Sequence, residues 1–191
     1  MRKELIFIVV ISIMLYGCTN TAGGFSKYRE QIFILQDFNA DEYKGGVWEA
    51  VSNDKQASFK AELQARVRVG ERGRAVALDY DFRSGADLVG GLWLDVSDHD
   101  FSGYNLLGFW IKGEPTLGFS KIVGVTIEDK FGNRVTKMNS QVSSEWGRVE
   151  ISLNSLKDKR LSNIVEINVF IDKRYTSIEA GRCYIDDFYL K

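Results

Sequence analysis

The sequence predicts an all-β protein, an antiparallel β-sandwich of jelly-roll type, on three observations. Short apolar or alternating runs recur along the chain from Ile32 onward. β-Branched and aromatic residues fill most of them, and glycines or polar turn clusters separate them. The spacing suits two packed sheets rather than strands alternating with helices. The 191 residues, 45% hydrophobic and 27% charged, suffice for one well-packed domain and exclude wholesale disorder.

Each element has its own signal. Ile32–Asp37 opens the domain, and the Gly45-Gly46 break precedes a short run at Val47–Val51. Phe59–Val69 contains good helix formers (Ala61, Glu62, Leu63, Gln64). Val67 and Val69, followed by Gly70 and Gly73, assign it to a strand. Ala75–Phe82, Gly91–Val96 and Leu106–Lys112 follow. Ile122–Asp129 and Arg134–Asn139 flank Lys130-Phe131-Gly132-Asn133, a hairpin-turn signal. Trp146–Leu153 and Val165–Asp172 alternate, and Gly181–Leu190 closes the series, about ten strands in all. A helical turn is expected only near Leu156–Lys159.

Upstream of these strands, Arg2 and Lys3 precede an apolar run from Leu5 to Leu15 broken only by Ser12. A helix of that length, at about 1.5 Å per residue, reaches roughly half of a ~30 Å hydrocarbon core, so it reads as a secretory leader and not a span. The run ends in Leu15-Tyr16-Gly17-Cys18, which resembles the bacterial lipobox. The resemblance implies cleavage before Cys18 and acylation of its thiol and new amine. Residues 1–17 are then a lipoprotein signal peptide, 18–30 a lipidated polar tether, and 31–191 the β-sandwich. Several acyl chains anchor stably to a bilayer. Thr19 is not the Asp that retains many such proteins at an inner membrane, which favours the outer membrane or cell surface. With Cys18 acylated, Cys183 has no disulfide partner and reads as a small buried hydrophobe.

Composition also excludes functions. Lys and Arg total 25 against 26 Asp and Glu, a net charge of −1, without the basic excess of a nucleic-acid binder. The single histidine, His99, argues against His-based triads and multi-His zinc sites. Asp98-His99-Asp100 reads as a loop with polar tips.

Leu78–Phe82, Gly90–Leu94, the run Phe101-Ser102-Gly103-Tyr104-Asn105-Leu106-Leu107-Gly108-Phe109-Trp110-Ile111-Lys112-Gly113, Glu145-Trp146 and Tyr184-Ile185-Asp186-Asp187-Phe188 follow one another in a recognisable order. Together they resemble the galactose-binding-like carbohydrate-binding modules, of the family 11 and complex-I intermediate-associated types. The resemblance covers Ile32 to Leu190. It implies a jelly roll with a sugar cleft on one concave face, a structural calcium, and no catalysis.

Period-2 alternation selects the candidate ligand residues. With Leu92, Leu94 and Val96 inward, Trp93 faces outward. The same rule places Thr126, Glu128, Asn168 and Asp172 on that face, with Tyr80, Arg134, Arg174 and Tyr175 at strand ends around its rim. Amide, hydroxyl and carboxylate groups beside an aromatic ring suit sugar hydroxyls around a stacked pyranose. The bland alternative is a solvated outer face. Trp110 reads as core and Trp146 as an edge cap, while Trp48 is open between a packed and a platform role. For metal, Asp37 and Asp187 are the candidate calcium ligands: in a jelly roll the chain ends run as neighbours, and like charges brought together favour a cation. Asp186 is expected to share a face with Tyr184 and Phe188. The functions compatible with this reading are an anchored lipoprotein binding a polysaccharide or oligosaccharide, an envelope adaptor docking a protein partner, and, third, a glycan-acting enzyme, which the resemblance disfavours.

Overall fold

The computed structural model describes residues 32–40, 43–49, 58–64, 66–70, 73–83, 88–154 and 163–191. Cys18, the leader and tether, and the turn expected at Leu156–Lys159 lie outside the described residues. Eleven strands run among them: β1 (Phe33–Gln36), β2 (Gly45–Glu49), β3 (Ser58–Gln64), β4 (Ala75–Asp81), β5 (Val89–Asp95), β6 (Leu106–Gly113), β7 (Val123–Asp129), β8 (Arg134–Asn139), β9 (Gly147–Ser152), β10 (Ile164–Asp172) and β11 (Ala180–Leu190). One antiparallel sheet has the order β3-β4-β11-β6-β9, with β1 continuing the β4 position along the end of β11. The other has the order β2-β5-β10-β7-β8. From β4 to β7 and from β8 to β11 successive strands change sheet, the crossing pattern of a jelly roll.

Alternation explains the core. Leu107, Phe109 and Ile111 of β6, Leu92 and Leu94 of β5, and Ile167, Val169 and Ile171 of β10 meet between the sheets, all but unexposed. Phe109 stacks on Phe188 with ring centroids 4.8 Å apart. Burying side chains of this size contributes about 1.5–3 kcal/mol each. The same parity corrects the expectation for Trp110. It stands between Phe109 and Ile111, points out of the sandwich, and lies half-buried under the Arg148 guanidinium, 4.7 Å from its ring.

Strict alternation fails once in a way that matters. On β11 the register runs Asp186 opposite Trp110 and then Tyr189 opposite Gly108, so β11 carries one extra residue there. Asp187 takes a left-handed backbone with φ of 45°, as a β-bulge permits for Asp. The bulge resets the parity. Ile185 before it and Phe188 after it both enter the core, and Asp186 shares the outer face with Tyr184 but not with Phe188.

Two local expectations resolve differently. The run Phe59–Val69 is a strand only to Gln64; beyond it the backbone bends, and the Val69 N–H donates to Asp186 at 2.8 Å. The hairpin at Lys130–Asn133 forms as expected. Asp129 Oδ1 accepts from the N–H groups of Phe131 and Asn133, both at 2.9 Å, and Gly132 supplies a φ of 81°.

Candidate functional site

The outer face of β2-β5-β10-β7-β8 carries a groove of about 700 Å3, within the range of ligand pockets. Register builds it in rows across the five strands. The first row reads Trp48, Gly91, Phe170, Gly124, Met138, large and glycine positions in alternation. The second reads Gly46, Trp93, Asn168, Thr126, Thr136. Asp95, Glu166, Glu128 and Arg134 form the third. One row is thus aromatic and apolar, the next polar and uncharged, the third ionic.

Within the first row Phe170 is only 9% exposed, and its ring centroid lies 6.3 Å from that of Trp48. Among the described residues the buried indole N–H of Trp48 has no hydrogen-bond partner, so the wall of the groove retains an unused donor. In the polar row Asn168 donates to Glu166 at 2.7 Å, and the Thr126 and Thr136 hydroxyls bond each other at 2.8 Å. At one end Arg134 Nε donates to Glu128 at 2.7 Å, which raises the guanidinium pKa. At the other, a 3-10 turn at Lys173–Tyr175 is capped by Asp172. The Asp172 carboxylate accepts from the Arg174 backbone at 2.9 Å and from its guanidinium at 2.5 Å. Burial pushes the Asp172 carboxyl up, but these hydrogen bonds outweigh it and hold it below the usual carboxylate value. Arg174 then lies over the exposed Tyr175 ring, 5.7 Å from its centroid.

Of the expected ligand residues, Trp93, Arg134, Asn168, Asp172 and Tyr175 line this groove. Glu128 stands beside it, holding Arg134. Tyr80 does not belong to it. It is 2% exposed in the core, in phase with Val76 and Leu78 on β4, and its ring packs on Phe82 at 5.3 Å. The candidate set omitted Phe170, Met138, Glu166 and Thr136, and left Trp48 open. Phe170 was legible, since it sits two residues from both Asn168 and Asp172. Met138 needed the β7–β8 register.

The Asp37 and Asp187 carboxylates lie at the meeting of β1 and β11. Burial, and then the charge of Asp37, raises the Asp187 pKa. Asp186, buried beside them, is pushed up to about 7 by burial first and by its two acidic neighbours as well. Asp37 also accepts from the Asn39 backbone and side chain, at 3.1 and 2.8 Å. The side-chain donors here are carboxylate oxygens, the ligand type that calcium takes. Among the described residues no three His, Cys, Asp or Glu side chains form a group that could hold a metal ion. His99 instead packs edge-on against Phe33 at 5.6 Å, and the Cys183 thiol is fully buried with its pKa pushed up to about 12.

The fold is an antiparallel β-sandwich similar to that of solved carbohydrate-binding modules. The chain is similar to the family 11 carbohydrate-binding module from Clostridium thermocellum solved with a β-1,3-1,4-mixed-linked tetrasaccharide. The TM-score is 0.62 and the identity 18%, over 83% of this chain and 94% of that one. It is also similar to part of an exo-β-agarase, with TM-score 0.61 and 15% identity, over 83% of this chain and 25% of that one. The β-1,2-glucanase from Parabacteroides distasonis matches at TM-score 0.59 and 10% identity, over 82% of this chain and 24% of that one. At such identities the likeness establishes the fold. No protein-family model matches the chain, and no curated protein matches it.

Proposed function

We propose that the protein binds an uncharged, linear polysaccharide or oligosaccharide along the β2-β5-β10-β7-β8 face, without catalysis. The observation that carries this reading is the pairing of an aromatic row with a polar row in one groove. Trp48, Trp93 and Phe170 offer flat apolar faces to sugar C–H groups, and Asn168, Glu166 and the two threonines offer hydrogen bonds alongside. The rim arginines support an uncharged ligand: Arg134 is neutralised by Glu128 and Arg174 by Asp172, while Glu166 adds negative charge. The comparisons support a binding module, because the chain covers 94% of a carbohydrate-binding-module chain and only 24% and 25% of the two enzyme chains. A calcium ion held by Asp37 and Asp187 pins β1 to β11 in this reading, and acylated Cys18 holds the domain at the outer membrane or cell surface.

An array of neutral and anionic glycans, probed with the full chain in detergent, tests the ligand. Retention on neutral linear glycans is expected; retention only on uronate or sulfated chains overturns the reading. Fatty-acid labelling tests the anchor, and label persisting in Cys18→Ser removes it. A second reading, an adaptor for an envelope protein, rests on the opposite face. There Trp110 lies half-exposed under Arg148, and aromatic residues with arginine are enriched in protein interfaces.

A further inference from the structure

We propose that Gly124 and Gly46 are positioning residues of the groove: each lets an aromatic ring lie down over bare backbone, and together they set the height of the floor. The inference rests on the reading of the groove as a glycan site. Neither glycine has a left-handed backbone; among the described glycines positive φ occurs at Gly70, Gly73, Gly118 and Gly132. Conformation therefore does not require glycine at 46 or 124, and glycine weakens a strand unless another group must come close. Here a ring comes close. A Cβ added at Gly124 would stand 2.0 Å from Cζ of Phe170 and 2.4 Å from Cε1. One added at Gly46 would stand 2.9 Å from Nε1 of Trp93.

What the Cβ would meet decides the consequence. At Gly91, in the same row, it would strike the Val169 carbonyl oxygen at 2.0 Å, which is strand backbone and cannot yield. At Gly124 it would strike the far end of the Phe170 side chain, which can swing. Trp48 stands on the β5 side of that ring and the sheet lies beneath it, so the open direction is up, into the groove. An alanine at 124 is therefore nearly harmless to folding and harmful to binding, whereas an alanine at 91 damages the fold. At Gly103 a Cβ would meet nothing within 4 Å, which makes Gly103→Ala a neutral control.

The experiment measures affinity for the β-1,3-1,4-linked tetrasaccharide and the thermal midpoint, in the full chain, for wild type, Gly124→Ala, Gly46→Ala, Gly103→Ala, Phe170→Leu and the Gly124→Ala/Phe170→Leu pair. Gly124→Ala should weaken binding on the order of tenfold, the scale of one aromatic contact, with the midpoint near wild type. With Phe170 shortened to Leu, adding Gly124→Ala should cost nothing more, because the obstructing ring is gone. Wild-type affinity in Gly124→Ala, or an equal loss in both backgrounds, overturns the inference. Ring placement is read separately, without glycan, from the upfield ring-current shift of the Gly124 Hα protons, lost in Phe170→Leu. Absence of that shift in wild type overturns the inference whatever binds. A wild type that shows the shift but binds neither the tetrasaccharide nor any arrayed glycan fails the glycan reading instead.

Discussion

The two outer faces of the sandwich obey the same alternation and differ in what they do with their outward residues. On the β3-β4-β11-β6-β9 face the side chains consume one another. Arg182 bonds Asp79 through two nitrogens at 2.5 and 2.7 Å, Tyr184 donates to Glu114 at 3.1 Å, and Tyr189 donates to Glu150 at 2.8 Å. The space at Gly108 on that face is filled by the Tyr189 ring, 2.3 Å from where a Cβ would be. On the other face large residues alternate with glycines, and the polar and ionic rows keep hydroxyl, amide and carboxylate groups along the groove. Outward polarity does not by itself make a site. Space between the outward residues does.

The largest expected contrast tests whether outward and inward are assigned correctly. Phe109→Ala, deep between the sheets, should cost ~3–5 kcal/mol in denaturant unfolding. Its neighbour Trp110→Ala should cost only ~1–2 kcal/mol, for half-buried area and the Arg148 contact. Similar losses at both positions would return Trp110 to the core.

Next comes the junction of β1 and β11, which the comparison leaves charged. Asp186 has a pKa of about 7 folded against 3.8 unfolded, so the folded chain holds its proton over that window. The stability this contributes is full below about pH 4 and lost as pH rises through about 7. In chelator, the thermal midpoint should therefore fall by several degrees between pH 5 and pH 8, and Asp186→Asn should flatten the profile. Calcium should raise the midpoint most at pH 8, where the carboxylates are ionised, and should not do so in Asp187→Ala. A midpoint indifferent to both pH and calcium would remove the charge cluster as a feature of the fold.

Binding provides the third contrast. Trp93→Ala should weaken glycan affinity by about three- to tenfold with little loss of stability, the scale of one aromatic contact. Trp110→Ala should leave affinity unchanged, so calorimetric titration of both variants decides which face binds. The smallest effect is Tyr189→Phe, which removes one hydrogen bond to Glu150. It should cost about 0.5–1.5 kcal/mol and leave glycan affinity at the wild-type value.

Much of this was legible because strands have a rigid period. Trp93, Asn168 and Asp172 fell on one face by counting, and Phe170 would have by the same count. Tyr80 was misplaced although Leu78, two residues before it, marked that parity as inward. Trp110 was misread from its immediate apolar neighbours Phe109 and Ile111, although Lys112, two residues after it, marks that parity as outward.

Sequence alone therefore decided the class of fold, the strand series, the hairpin at Lys130–Asn133 and the inward phase of most strands, since these depend on local period and turn chemistry. Tertiary structure alone decided which strands lie side by side. Only the register of β2, β5, β10, β7 and β8, drawn from residues more than a hundred positions apart, reveals that each large residue of the first row faces a glycine. The bulge at Asp187 was equally invisible, because one extra residue leaves no mark in a run of strand-forming side chains and yet reverses every face after it. Period is a property of one segment; a groove is a property of several segments in register, and long-range pairing is what single-segment patterns do not encode.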